Sequence, residues 1–439
     1  MTEQTSFPAP RPTDNRTALA IMTTIFFMWG FITELNDVLI PHLKAVFTLN
    51  YRQAMSVQLC FFGAYLVMAL PAGATVARVG YKLGIVFGLL VAGGGALLIL
   101  LAAQLGTFTL FLPALFVLAS GIVLLQVSAN PYVALLGVPR RAPSRLNFAQ
   151  AINSLGHTIG PWIGGALIFA ATALSAEQLA QLPAAQRAQT VQPLYLGVAL
   201  ALIALAGLIF LLRLPAHDEA GERVQPRSHT LRAALAVPQV RFGVLAIFLY
   251  VGAEVAIGSF LANYAMRPDI GAIPREQVGG FVSLYWGAAM VGRFCGALLL
   301  LRFDPRRLLA TYALANVALL LTTIATNGEL ALWSVIAVGF FNSIMFPTIF
   351  TLVIDRLGAL TQRASSLLVM AIFGGAVIPK LQGVAVDWLS ETGFAETAAL
   401  QYAFALPVLC YAYIIWYGLR SARRPAPGAA AAVQQGAEA

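Results

Sequence analysis

Charge is what this chain of 439 residues has least of: Asp, Glu, Lys and Arg make up 10% of it, against about 25% in an ordinary soluble domain. That shortage excludes a water-facing globular surface. Cysteine is almost missing as well. Cys60, Cys295 and Cys410 all fall in apolar stretches without metal-ligand spacing, so they read as buried packing and not as a disulfide framework or metal site. Residues 1–16 lack the apolar core and small-residue cleavage site of a removable signal, so the first apolar segment is expected to act as its own insertion signal. No nucleophile–base pair, metal cluster or phosphate loop stands out. The chain therefore does not read as an enzyme, and neither a cofactor nor a bound metal is expected.

Apolar residues supply what is left, 59% of the chain, and they come in runs. About 20 apolar residues cross a bilayer as a helix, and twelve such runs can be marked: 18–41, 54–78, 82–103, 108–137, 145–172, 191–213, 240–266, 276–301, 306–325, 329–356, 364–387 and 398–419. The net charge of +9 could suggest a nucleic-acid partner. Its distribution argues against one: with the N-terminus in the cytoplasm, 20 of the 27 Lys and Arg fall in cytoplasmic segments and five on the other side, while Arg293 and Lys380 lie within spans. This is positive-inside asymmetry, and it points to a multi-pass protein of the inner (cytoplasmic) membrane with both termini in the cytoplasm. Lipid is then the solvent of its outer surface.

The longest polar interruption, RLPAHDEAGERVQPRSHT at 213–230, divides the twelve spans into six and six. The organisation expected is a cytoplasmic arm (1–17), an N-terminal six-helix bundle (18–213), a cytoplasmic linker (214–239), a C-terminal six-helix bundle (240–419) and a low-complexity, disordered tail (420–439). The halves also echo each other. LQVSANPYVALL (125–136) aligns with FNSIMFPTIFTL (341–352), setting Gln126 opposite Asn342 and Pro131 opposite Pro347, and a second alignment sets Gly156 opposite Gly374 and Pro161 opposite Pro379. The offsets, 216 and 218, nearly agree. Two parallel six-helix halves give an all-α membrane protein of the major facilitator kind, with a binding site near the midplane between them. PAGATVARVGYKLG and GRFCGALLLLRFDPRR occupy related places after the second and eighth spans. Arg78, Arg293 and Arg302 there are candidates for gating; ordinary positive-inside charge is the plainer explanation.

Ionisable groups inside spans are costly and mark functional positions. In FITELNDVLIPHL (31–43), Glu34 and Asp37 sit about 60° apart on one side of a helix. Two carboxylates held close in a low dielectric do not both ionise readily, so such a pair can keep and release a proton; a solvated helix end at the membrane boundary is the competing explanation. Glu254 follows Glu34 by 220 residues, with Lys380 or Arg293 as its cationic partner. Gln126 and Asn130 are spaced i, i+4, and Gln150, Asn153 and His157 follow at i, i+3, i+7, giving two polar stripes on apolar helices. An amide both donates and accepts, which suits a sugar hydroxyl, although amides also bridge membrane helices. Trp29 and Trp286 offer apolar faces for a sugar ring, and Asn342 gains interest as the counterpart of Gln126.

The stretches FFMWGFITELNDVLIPHLK, LQVSANPYVALLG, RLNFAQAINSLGHTIGP, YVGAEVAIGSF, YWGAAMVGRF, FPTIFTL and IPKLQG resemble the fucose/glucose–galactose cation symporter family of the major facilitator superfamily, over residues of about 20 to 415. The resemblance implies a carrier that takes up a monosaccharide with a cation and puts the family's proton-coupling acid, in the N-D-x-L-x-P stretch, on Asp37. Fucose carriers of that family have an acid where this chain has Gln126 and a Gln where it has Glu254; that departure resembles the glucose/galactose branch. The resulting expectation is an importer of glucose or galactose by proton symport, working as a monomer. Gln126, Asn130, Gln150, Asn153, His157, Glu254, Asn342 and Lys380 would hold sugar, Trp29 or Trp286 would form a wall, and Asp37 with Glu34 would carry the cation. Alternatives are Na⁺ coupling, an N-acetylglucosamine or fucose carrier, a proton-coupled exporter of amphipathic compounds, and a sugar sensor that does not transport.

Overall fold

A computed structural model describes residues 16–47, 51–170, 186, 189, 191–212, 231–274 and 277–422, and among them there is no strand. The arm before Arg16, the linker stretch 213–230 and the tail beyond 422 lie outside the described residues. Ten of the helices are long and apolar enough to cross a membrane. One of them, Leu59–Leu105 at 47 residues, holds two spans, and Ala142–Ala170 supplies the span missing from that set, so the architecture accommodates the twelve expected from sequence.

Span 1 is Arg16–Val46. Spans 2 and 3 form one run, Tyr51–Leu105, broken at Gly80 (φ 81°, ψ 170°), a backbone conformation that glycine adopts without a steric penalty. Span 4 is Phe108–Leu135, span 5 Ala142–Ala170 and span 6 Gln192–Leu211. After a short helix, Leu231–Ala236, the second bundle begins with span 7, Pro238–Ala265, span 8, Val278–Leu299, and span 9, Pro305–Ala325. The last three spans are broken. Span 10 is Gly328–Asn342 then Met345–Ile354, span 11 is Thr361–Met370 then Gly374–Glu391 across the 3-10 turn Ala371–Phe373, and span 12 is Glu396–Ala403 then Ala405–Ala422. Two of these breaks have one cause: a proline removes a donor and its ring crowds the carbonyl four residues earlier. Pro347 stands four residues after Ser343, and Pro407 three after Phe404, the residues at which the helices part.

Lipid gives helices no hydrophobic reason to associate, so close approach and hydrogen bonds must hold them. The repeat is visible in how that is done. A Cβ at Gly156 on span 5 would strike the backbone of Phe27 and Phe31 on span 1, and one at Gly374 on span 11 would strike the backbone of Phe248 on span 7. Outward-facing residues such as Leu211 and Leu409 stay exposed and apolar, as a lipid-facing surface requires.

The bundles meet most extensively at two crossings, span 5 with span 8 and span 2 with span 11, with lesser contacts of span 5 with span 10 and span 4 with span 11. At the first, Ser144 Oγ donates to the Ala297 carbonyl at 2.7 Å, Asn147 Nδ2 donates to the Arg293 carbonyl at 2.6 Å, and Phe148 meets Phe294 edge-on with centroids 6.3 Å apart. At the second, Gly73 closes against the Ser366 side chain. These contacts lie toward the end that carries the arginine-rich connections at 139–145 and 302–307, so that end is sealed. Toward the opposite end Thr158, Ser259, Ser283 and Trp286 are exposed.

Candidate functional site

Between the bundles lies a cavity of about 450 Å³, within the range of small-ligand sites. The first bundle gives it Trp29, Glu34, Gln126, Gln150, Asn153 and His157; the second gives it Glu254, Trp286 and Arg293. Nine side chains singled out in the sequence are thus brought to one space from five different spans. Backbone geometry explains the convergence, because each stands mid-span on the face turned toward the other bundle.

The amides are held from behind. Gln126 Nε2 donates to the Tyr65 hydroxyl at 2.9 Å, while its Oε1 is buried without a partner. Asn153 Nδ2 donates to the Phe26 carbonyl at 2.7 Å, tying span 5 to span 1, and Gln150 Nε2 reaches Asn130 Oδ1 at 3.4 Å. His157 and Glu34 form a pair across spans 5 and 1, Nδ1 to Oε2 at 3.1 Å, on the more open side of the cavity. Trp286 meets Tyr285 edge-on with centroids 5.1 Å apart and covers Gly258, where a Cβ would come within 3.1 Å of its ring. Its position is therefore set from two sides, leaving an aromatic face toward the cavity.

Several expectations need correction. Asn342 does not line the cavity: it is fully buried, donating to the Tyr285 hydroxyl at 2.8 Å and accepting from Asn316 at 2.8 Å and from the Tyr411 hydroxyl at 2.6 Å. Asn130 sits behind Gln150 and is also fully buried. Lys380 is exposed and pairs with no acid among the described residues. Ile378 turns into the bundle against Gly252, and two residues on, about 200° round the helix, Lys380 faces out. The cation beside Glu254 is instead Arg293, Nη2 to Oε1 at 3.7 Å. Arg78 and Arg302 are exposed at the sealed end without an ion-pair partner among the described residues. The side chain of Asp37 lies outside the described residues, although its backbone belongs to span 1.

Sequence reasoning missed the tyrosines. Tyr65 and Tyr250 line the cavity, and Tyr250 donates to the Asn342 carbonyl at 3.1 Å and stands beside the Glu254 carboxylate. In a hydrophobic run a tyrosine counts as one more aromatic; the signal available was spacing, since Tyr250 precedes Glu254 by four residues on the same helical face. Arg145 was missed too. Its guanidinium donates to the carbonyls of Ala134 at 2.7 Å and Val138 at 2.8 Å, closing the turn between spans 4 and 5.

Two helical bundles enclosing a cavity lined by amide, charged and aromatic side chains, sealed at one end and open toward the other, define a membrane carrier. The Major Facilitator Superfamily profile matches residues 19–379, and the chain belongs to that superfamily. Its relatives include the glucose/galactose transporter of Brucella abortus, 45% identical with 94% of this chain and 98% of the relative covered. The L-fucose-proton symporter of Escherichia coli K12 is 35% identical, with 90% and 91% covered. Among solved structures, the Major Facilitator Superfamily transporter FucP in its outward conformation superposes with a TM-score of 0.81 at 32% identity, covering 92% of this chain and 99% of that one. The family and these relatives are transporters, not enzymes.

Proposed function

We propose that this protein imports a neutral monosaccharide, glucose or galactose first among them, together with a proton, by alternating exposure of the central cavity. The observation that carries the reading is the unbonded, buried oxygen of Gln126, a residue that lines the cavity together with Gln150, Asn153 and the Trp286 ring. An amide wall opposite an aromatic face suits a ring that is polar at its edge and apolar on its surface. The names of the glucose/galactose transporter relatives support the sugar, and those of the fucose-proton symporters support the proton.

Asp37 is the coupling carboxylate in this reading, one helical turn from Glu34, whose bond to His157 offers a second place for a proton. The arginine-rich, sealed end faces the cytoplasm in this reading, in keeping with positive-inside charge, so the cavity opens outward and both termini lie on the cytoplasmic side of the inner membrane. Residues 214–239 link the two bundles there, and the carrier acts as a monomer. Alternation needs sugar and proton to bind the two facing states unequally, since a ligand with equal affinity for both shifts nothing.

The test is Asp37→Asn in reconstituted vesicles, with glucose, galactose, fucose, mannose and N-acetylglucosamine competing against labelled glucose. Glucose and galactose are expected to compete best. The variant should exchange sugar across the membrane but fail to accumulate it under a pH gradient; accumulation equal to that of the unaltered protein would remove Asp37 from the coupling role.

A further inference from the structure

Arg293 stands in span 8 where the bundles touch, and its neighbours leave much of it unused. One terminal nitrogen donates to Ser154 Oγ on span 5. The other lies 3.7 Å from Glu254 Oε1, beyond hydrogen-bonding distance. Arg293 Nε and Glu254 Oε1 are both buried without a hydrogen-bond partner, and both side chains line the cavity at only 13% and 11% exposure.

The repeat shows that the fold does not demand this cation. Tyr65 corresponds to Tyr285 at an offset of 220, and the same offset takes Arg293 back to Gly73, which closes the other crossing against Ser366 with no charge involved. A buried ion pair stabilises only when its geometry is close and its remaining donors and acceptors are satisfied. Glu254 and Arg293 meet neither condition by themselves. Both side chains line the cavity, and the carboxylate keeps an acceptor and the guanidinium a donor that no protein group satisfies, both covered until the side chains turn toward a ligand.

We propose that Glu254 and Arg293 form a clamp for two adjacent hydroxyls of the transported sugar, and so set which edge of the ring must carry an intact vicinal diol. This rests on the monosaccharide reading above. One hydroxyl donates to Glu254 Oε1; its neighbour accepts from the Arg293 fork, whose planar donors suit a paired acceptor better than a lysine ammonium would. Ser154 joins the clamp to the other bundle. Its hydroxyl accepts from Arg293 and donates to the Gln150 carbonyl at 3.0 Å, so a sugar held by the clamp is also held to the span 5–span 8 crossing.

The test is equilibrium competition of 2-, 3-, 4- and 6-deoxyglucose against labelled glucose on the purified full chain, for the unaltered protein, E254Q and R293K, with a melting curve for each. In the unaltered protein two adjacent deoxy positions should each weaken binding on the order of tenfold or more, as loss of a hydrogen bond to a charged group does. E254Q should bind glucose that much more weakly and become indifferent to one of the two positions, and R293K to the other. Should one variant fail to fold, the other still decides, because each erases its own position. Deoxy penalties that persist unchanged in a folded variant, or that fall on non-adjacent positions, would overturn the clamp and leave the monosaccharide reading standing. An unaltered protein that binds no hexose would overturn both.

Discussion

In the first bundle the Gln126 amide meets the Tyr65 hydroxyl at 2.9 Å and stops there, its oxygen unbonded. In the second, Asn342 meets Tyr285 at 2.8 Å and goes on to Asn316 and Tyr411. The two pairs descend from the same place in the repeat, at offsets of 216 and 220, yet one faces the cavity and the other is sealed behind its wall. The difference separates two uses of the same chemistry. An amide bonded through both its atoms fixes spans against one another, while an amide that lines the cavity with an idle oxygen keeps an acceptor for something that arrives. The crossings differ in the same sense: Gly73 against Ser366 is small and uncharged, whereas Arg293 brings a charge to Ser154 and to the edge of the cavity.

Substitutions should pull these two uses apart. The largest effect is expected from Asn342→Leu, which strips the partner from Asn316 and Tyr411 and leaves the Tyr285 hydroxyl only the Glu254 carbonyl; each orphaned buried group costs about 1–3 kcal/mol, and the purified protein should melt far lower or fail to accumulate in the membrane. Gly30→Ala comes next. Its Cβ would meet the carbonyl and, at 2.8 Å, the side-chain nitrogen of Asn153, an overpacking worth about 1–3 kcal/mol, and glucose uptake should fall along with the melting temperature because Asn153 is displaced. Gln126→Leu orphans one buried group, the Tyr65 hydroxyl, against two for Asn342→Leu; it should cost about 1–3 kcal/mol in melting and weaken glucose binding about tenfold, and a melting loss larger than that of Asn342→Leu with unchanged binding would reverse the roles assigned to the two amides. The smallest effect belongs to Lys380→Gln, exposed and away from the cavity, with both measurements inside about 0.5 kcal/mol.

Much of this arrangement was legible before any coordinates. Apolar run length marked the spans, and the paired prolines and glycines marked the halves. Helical spacing found the amides and His157 that reach the cavity but not its hydroxyls, such as Tyr65, Ser154 and Tyr250. It failed where spacing says which face a residue occupies but not what that face meets. Gln126 and Asn130 share a stripe, but Asn130 is one turn nearer the sealed end and lies behind Gln150. Lys380 followed the polar positions of its stretch, but Ile378 took the inward direction against Gly252. Spans 10 and 12 read as continuous apolar runs, and only the carbonyls crowded by Pro347 and Pro407 explain where they break. The hydrogen-bonded network around Asn342 was out of reach altogether, because its partners come from three other spans, and no local pattern joins Tyr285, Asn316 and Tyr411.

The most direct test of proton-coupled monosaccharide uptake is the accumulation of labelled glucose in vesicles containing the purified protein, under an imposed inward pH gradient without Na⁺. Sugar should rise above its external concentration and leak back when a protonophore is added. Uptake that never exceeds equilibrium under the pH gradient, or that exceeds it only under an inward Na⁺ gradient, would contradict the account.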